Sequence, residues 1–194
     1  MPCPNKKIPE PLREGLMECF EAVVALAPPE QRSQLVLRTE DIDIAAPASV
    51  ISVVLNAIID GTAGFTLESD AKVAYDCIAG FRIRVDFLEI GAGIIDQIHG
   101  IQPLGNGSVA SLADLMLLRA TTVIYRGDDG DIWDLQWLFS EVARSGVLLP
   151  PIGEEELQNL CRAGERCLGK CGLLFFAAIL GEGNPVAASK LLDI

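Results

Sequence analysis

Apolar residues recur at steps of three and four from Leu12 through Leu16, Phe20 and Val23 to Ala27. This predicts a helix over residues 12–27 with one buried face. The "APPEQ" that follows stops it, since proline fixes φ and has no amide hydrogen. Residues 35–37 are apolar and read as a short strand or the start of a longer one. Over 40–45 polar and apolar positions alternate, which is the period of a strand. Residues 47–60, built around "VISVVLNAII", read as a helix opened at Ala48–Ser49 and closed by Gly61. Three strands are predicted next, over 65–68, 72–77 and 81–90. In the last, Phe81, Ile83, Val85 and Phe87 line one face, and Arg82, Arg84, Asp86 and Leu88 the other. "GAGIIDQIHGIQPLGNG" reads as a loop with one helical turn. Helices are predicted over 111–125 and 131–145, joined by "RGDDG". "LLPPIG" is a linker, and two short helices follow over 154–167 and 172–180. Strands first and helices after predict an α+β fold. Residues 1–110 would form a small mixed sheet with flanking helices. Residues 111–194 would form a helical part packed on it, as one compact unit.

Composition narrows the function classes. Half of the 194 residues are hydrophobic, enough for a sizeable core. The formal net charge is −12, so the broad basic footprint of a duplex-DNA or anionic-membrane binder is absent. A nucleotide or an RNA end remains accessible through a local basic site. The opening "MPCPNKKIPEPLREG" has no apolar signal region. The longest apolar run, "GLLFFAAILG", is about half a membrane span. The expected location is therefore cytoplasmic. The cysteines at 3, 19, 77, 161, 167 and 171 are expected to be buried or free thiols rather than disulfides.

The chemistry concentrates in "TEDIDI". Side chains two apart on a strand share a face and stand about 6.5–7 Å apart, so Asp41 and Asp43 repel unless a cation or basic group compensates them. Mg²⁺ is the natural candidate, because it takes hard oxygen ligands from one or two carboxylates and completes its shell with substrate phosphates. Asp86, inside an apolar strand, could reach the same spot from a neighbouring strand. Three carboxylates around metal suit in-line phosphoryl or nucleotidyl transfer. The plain alternative is three solvent-face acids.

"TEDIDIAAP", "FRIRVDFLEIG" and "VASLADLMLLRATTVIYRGDDGDIWDLQWL", taken together over roughly residues 35–140, resemble the nucleotidyltransferase superfamily with its DNA polymerase β-like fold. The nearest branch is that of the minimal nucleotidyltransferases, which includes bacterial toxin and antitoxin types and fungal members. The resemblance implies that the T-x-D-h-D strand supplies metal ligands Asp41 and Asp43, and that the h-x-h-D-h strand supplies Asp86. It also implies Mg²⁺ as cofactor, a nucleoside triphosphate as donor, and a hydroxyl of a small molecule, protein or RNA end as acceptor. Arg119 stands where the family has a lysine facing nucleotide phosphates, and Arg126 follows as a second nucleotide-binding position. Independently of the family, Arg119 is a lone cation on a helix that is apolar almost all round, so it needs a partner. That partner is either phosphate or the acids Asp131 and Asp134.

One family feature is missing. A G-G or G-S turn that holds triphosphate through its backbone amides normally precedes the D-x-D strand. Here "QLVL" runs at once into "RTEDIDI", and no glycine lies between Gly15 and Gly61. Loss of the cradle removes several charge-assisted hydrogen bonds of about 1.5–3 kcal/mol each, so ordinary transfer is expected to be weak or absent. A degenerate, non-catalytic binding protein, or a shortened isoform, is the competing reading. Elsewhere, "CRAGERCLGKC" lacks the paired spacing of a zinc site, and Gly91-Ala92-Gly93 lacks the rest of a dinucleotide motif. His99 sits in a loop-like stretch. Trp133 and Trp137, four apart on one helix, are expected to pack in the core or between helices.

Overall fold

The computed structural model describes residues 8–38, 42–69, 72–91 and 97–179. Helix α1 (Glu10–Leu26) has Pro9 at its N-cap, and it buries Cys19, Phe20, Val23 and Val24 on its apolar stripe. "PEQRSQ" does not merely end that helix but forms a 3-10 turn (Pro29–Gln34) leading into the first strand. Strands β1 (Val36–Leu37) and β2 (Ile42–Ala46) precede helix α2 (Ala48–Ile59). Pro47, rather than Ala48 or Ser49, holds the N-cap of α2, where the missing amide hydrogen costs nothing. Gly61, at φ +94°, supplies the left-handed turn that leads away from the helix. Strands β3 (Phe65–Leu67), β4 (Val73–Asp76) and β5 (Arg82–Glu89) follow.

The segment read as a loop contains a hairpin instead, with strands β6 (Ile101–Leu104) and β7 (Gly107–Ala110). The missed signal is the two-residue Gly105–Asn106 turn, with Gly105 at φ +58°, a sequence that favours tight hairpins. Pro103 argues against a central strand, and β6 is indeed at the sheet edge. The seven strands form one sheet in the order β3-β4-β5-β2-β1-β7-β6. The pairs β2–β5 and β1–β7 are parallel, and the remaining neighbours are antiparallel. One face of the sheet, carrying Ile42, Ile44, Ile83 and Val85, joins Phe20, Val23, Val50 and Val54 in a single core. Full burial of Phe20, at 0% exposure, stabilises by about 1.5–3 kcal/mol. Gly107 permits this packing, because a Cβ there would lie 2.7 Å from Phe20 Cζ.

The chain divides into two compact units, Met1–Ala110 and Ser111–Ile194. The second contains α3 (Leu112–Tyr125), α4 (Asp129–Ser145) and α5 (Glu154–Ile179) around Met116, Ala120, Val123, Leu135, Val142 and Leu160. The two short C-terminal helices predicted from sequence are one helix of 26 residues. An interior glycine costs only about 1 kcal/mol relative to alanine, too little by itself to stop a helix that packs along α3 and α4. The fold is thus mixed α/β, a seven-stranded mixed sheet with flanking helices followed by C-terminal helices. Among the described residues no helix is long and apolar enough to cross a membrane.

Candidate functional site

Strand register assembles a row of charges in the first unit. The antiparallel pairing of β1 with β2 places Val36 opposite Ala45 and Leu37 opposite Ile44. One step further, the Arg38 amide donates to the Asp43 carbonyl at 3.0 Å. The parallel pairing of β2 with β5 places Asp43 directly opposite Asp86. The β4–β5 ladder, with Val73 opposite Val85, brings Lys72 beside Asp86 one step beyond it, with Lys72 Nζ 3.5 Å from Asp86 Oδ1. Residues opposite one another across strands project to the same face. Arg38, Asp43, Asp86 and Lys72 therefore form a cross-strand row of plus, minus, minus, plus. It lies on the face opposite the core, because Asp43 alternates with the buried Ile42 and Ile44.

The two acids stand on strands about 4.8 Å apart. At that separation like charges repel by about 3 kcal/mol at an effective dielectric constant near 20. The flanking cations offset this, but not in equal ways. Lys72 and Asp86 are about half exposed. Arg38 is only 9% exposed, and its Nε has no hydrogen-bond partner. Burial pushes its pKa down, while the nearby Asp43 charge opposes that shift. Sequence reasoning passed over Arg38. The available signal was a cation inside the apolar run "QLVLR" immediately before two acids. Further along the face, Arg84 Nη2 pairs with Glu68 Oε2 at 2.7 Å, and Arg82 Nε pairs with Asp76 Oδ1 at 2.7 Å.

Asp41 lies outside the described residues. Among the described residues, no three His, Cys, Asp or Glu side chains are grouped to hold a metal. Asp43 and Asp86 do supply hard oxygen donors on one face. That set fits a Mg²⁺ whose shell is completed by water and ligand oxygens, and does not fit an all-protein cage. Between β1 and β2 only residues 38–41 intervene, which leaves no room for a glycine-opened helical turn at that point.

The other two predicted site residues belong to the second unit. Ser111 caps α3, accepting from the Asp114 amide at 3.1 Å. The Ser111 hydroxyl in turn donates to Asp114 Oδ2, which ties this acid to the head of α3. Arg119, one turn on, donates through Nη1 to Asp131 Oδ1 at 3.0 Å, and its Nη2 lies 3.3 Å from Asp134 Oδ2. Arg126 donates through Nε to Asp131 Oδ2 at 2.9 Å and through Nη2 to Asp131 Oδ1 at 2.7 Å. Asp131 is buried, and the Arg126 guanidinium holds its carboxyl below the usual range. The corner between α3 and α4 is closed by Arg166, which donates to the carbonyls of Val123 at 3.0 Å and Gly127 at 3.2 Å. The partner that burial demanded for Arg119 is thus present as Asp131 and Asp134.

Other expectations resolve individually. Trp133 and Trp137 are about half exposed rather than in the core, because α4 turns Leu135, Leu138, Phe139 and Val142 inward instead. Cys19 and Cys77 are free and buried. Burial pushes the Cys19 thiol up to about 12, so it is no nucleophile at neutral pH. Cys161 and Cys167 are free, and burial raises both.

No family model matches this chain, and no curated protein matches it. Among solved structures, the crystal structure of JHP933 from Helicobacter pylori is similar at 11% identity with a TM-score of 0.44. That likeness covers 96% of this chain and 94% of the other, and is too distant to carry a function.

Proposed function

We propose that this chain is a nucleotidyltransferase-like protein of the cytoplasm. It would transfer a nucleotidyl group from a nucleoside triphosphate to a hydroxyl of a small molecule, a protein or an RNA end. The observation that carries this reading is the direct opposition of Asp43 and Asp86 on adjacent parallel strands, on the face turned away from the core. Asp43 and Asp86, with Asp41 as the third carboxylate, would hold Mg²⁺, which supplies charge neutralisation at the phosphate oxygens. One of the acids would accept the proton of the attacking hydroxyl, and the β2–β5 ladder fixes Asp43 opposite Asp86. Arg119 and Arg126 are the nucleotide-binding residues that the family resemblance implies.

A second reading is a non-catalytic binding or interaction protein that keeps the same face. It is favoured by the short connection between β1 and β2 and by the engagement of Arg119 and Arg126 with Asp131. The deciding experiment measures Mg²⁺-dependent transfer from each labelled nucleoside triphosphate, with Asp43→Ala in parallel. We expect weak transfer that falls by at least a hundredfold in Asp43→Ala. Transfer unaffected by that substitution would sink the carboxylate-site reading. Mg²⁺-dependent nucleotide binding without any transfer would favour the second reading.

A further inference from the structure

We propose that the outward face of α4 is a self-association surface, on which a second copy of this chain packs its own α4 antiparallel. Gly130, Trp133, Trp137, Ser140 and Arg144 recur at steps of three and four, and all five are exposed. That spacing is the seam of a packed helix pair. The inward stripe of α4, with Leu135, Leu138, Phe139 and Val142, is already buried in the unit's own core, so the helix carries a second stripe that its unit leaves open. Trp133 and Trp137 stand 50% and 52% exposed on it. Among the described residues of this unit, the other exposed large apolar side chains are Tyr125, Val147 and Leu148, which fall just before and just after α4 in the chain. Apolar surface gathered in one place marks an interaction surface more than scattered single residues do.

Charge and side-chain size select the occupant. The exposed Asp129 opens the helix, and Arg144 lies in its last turn. Arg144 pairs with Glu141 one turn back and is still 75% exposed. A stripe that is acidic at one end and basic at the other is complementary to itself turned end for end. An anionic membrane or nucleic acid would meet Asp128, Asp129 and Asp134 instead. In the antiparallel register that sets large against small, Trp137 lies on the partner's Ser140 and Trp133 on the partner's Arg144. That guanidinium stacks on the indole and reaches Asp129 one turn away. Gly130 has open space beside it, where the end of the partner's α4 passes. The exposed halves of the two tryptophans amount to one whole side chain, about 150–250 Å² per copy. A standard interface takes about 800 Å² from each partner. The dimer is therefore weak and concentration-dependent, with a dissociation constant on the order of 10–100 µM.

The test is sedimentation of the full chain from micromolar to near-millimolar concentration at physiological ionic strength. The unsubstituted chain should pass from monomer to dimer over that range. Both of its tryptophans lie on the stripe, so their fluorescence should shift to the blue along the same concentration curve. Trp133→Ser with Trp137→Ser should weaken the dimer by about tenfold or more. Asp129→Arg alone and Arg144→Glu alone should each weaken it by about threefold, and the two together should restore it. The charge exchange and the fluorescence of the unsubstituted chain keep the test sound where the double serine variant fails to fold. A chain that stays monomeric throughout, a dimer indifferent to both tryptophans, or a charge exchange no better than its single halves would each overturn the proposal. A monomer whose tryptophan emission shifts only on adding a lysine- and arginine-rich peptide would overturn it too, in favour of a basic partner.

Discussion

Each unit places arginine beside aspartate, and the two arrangements differ in how completely the charges are satisfied. In the helical unit, Asp131 is buried and receives hydrogen bonds from Arg119 and Arg126 on both of its oxygens, at 2.7–3.0 Å. In the sheet unit, Asp43 and Asp86 face each other across the strands, Lys72 reaches Asp86 only at 3.5 Å, and Arg38 keeps an unmatched Nε. A closed knot of charge holds helices in register, and its geometry is complete without a ligand. The row in the sheet unit sets two like charges side by side and keeps one buried donor unmatched. Charge type alone does not distinguish the two. Register and burial do.

The largest expected effect that separates them is on stability. Asp131→Ala removes the buried acceptor shared by Arg119 and Arg126, which keep Asp134 and Asp128 as partners, and should destabilise the helical unit by about 1–2 kcal/mol. Both tryptophans of the chain, Trp133 and Trp137, lie in α4, so urea unfolding followed by tryptophan fluorescence reads that unit. An unchanged midpoint would mean that the knot contributes nothing.

A pH titration should weight the units differently, with acid loss chiefly in the helical unit and alkaline loss chiefly in the sheet unit, where burial raises Cys19 and Tyr75 more than it raises Cys161 and Cys167. The Asp131 carboxyl is held below its ordinary value of 3.8. Its contribution is therefore complete above that value and is lost as pH falls through the lower folded pKa. In the sheet unit, burial raises Cys19 from 9.0 to about 12. Burial and donation to Glu18 raise Tyr75 from 10.0 to about 12. These groups favour the folded state fully below pH 9 and lose that contribution as pH rises toward about 12. Tryptophan fluorescence should thus show the acid loss, and hydrogen exchange at the β2 and β5 amides the alkaline loss. The same pH response at both probes would erase the contrast.

The smallest effect should come from Asp86→Asn. It removes a half-exposed ion pair with Lys72 and also relieves repulsion with Asp43, so the midpoint should move by less than about 0.5 kcal/mol. Transfer, where measured, should nevertheless fall as it does in Asp43→Ala. A large stability loss from Asp86→Asn would place this acid with the structural knot instead.

Much of this was legible along the chain. The period of Leu12, Leu16, Phe20 and Val23 marks α1, and the alternation of Phe81 to Leu88 marks β5, because those patterns follow from which face is buried. The hairpin around Gly105 was passed over because a strand of four residues containing proline carries little periodic signal, and only its place at the sheet edge makes it a strand. The join of the two C-terminal helices was hidden because glycine weakens helix propensity by an amount that tertiary packing overrides.

For the site, the sequence by itself determined that Asp43 shares a strand face with every second neighbour, and that an acid sits at the centre of β5. Those facts follow from local geometry. Only the tertiary structure decided that Asp43 stands opposite Asp86, that Lys72 closes the row, and that Arg38 is buried with a donor unmatched. Strand order and register are fixed by contacts between residues dozens of positions apart, which no local period records. The same holds for Arg119. Its need for a partner is legible in one helix, and the identity of that partner, Asp131, depends on how the next helix packs against it.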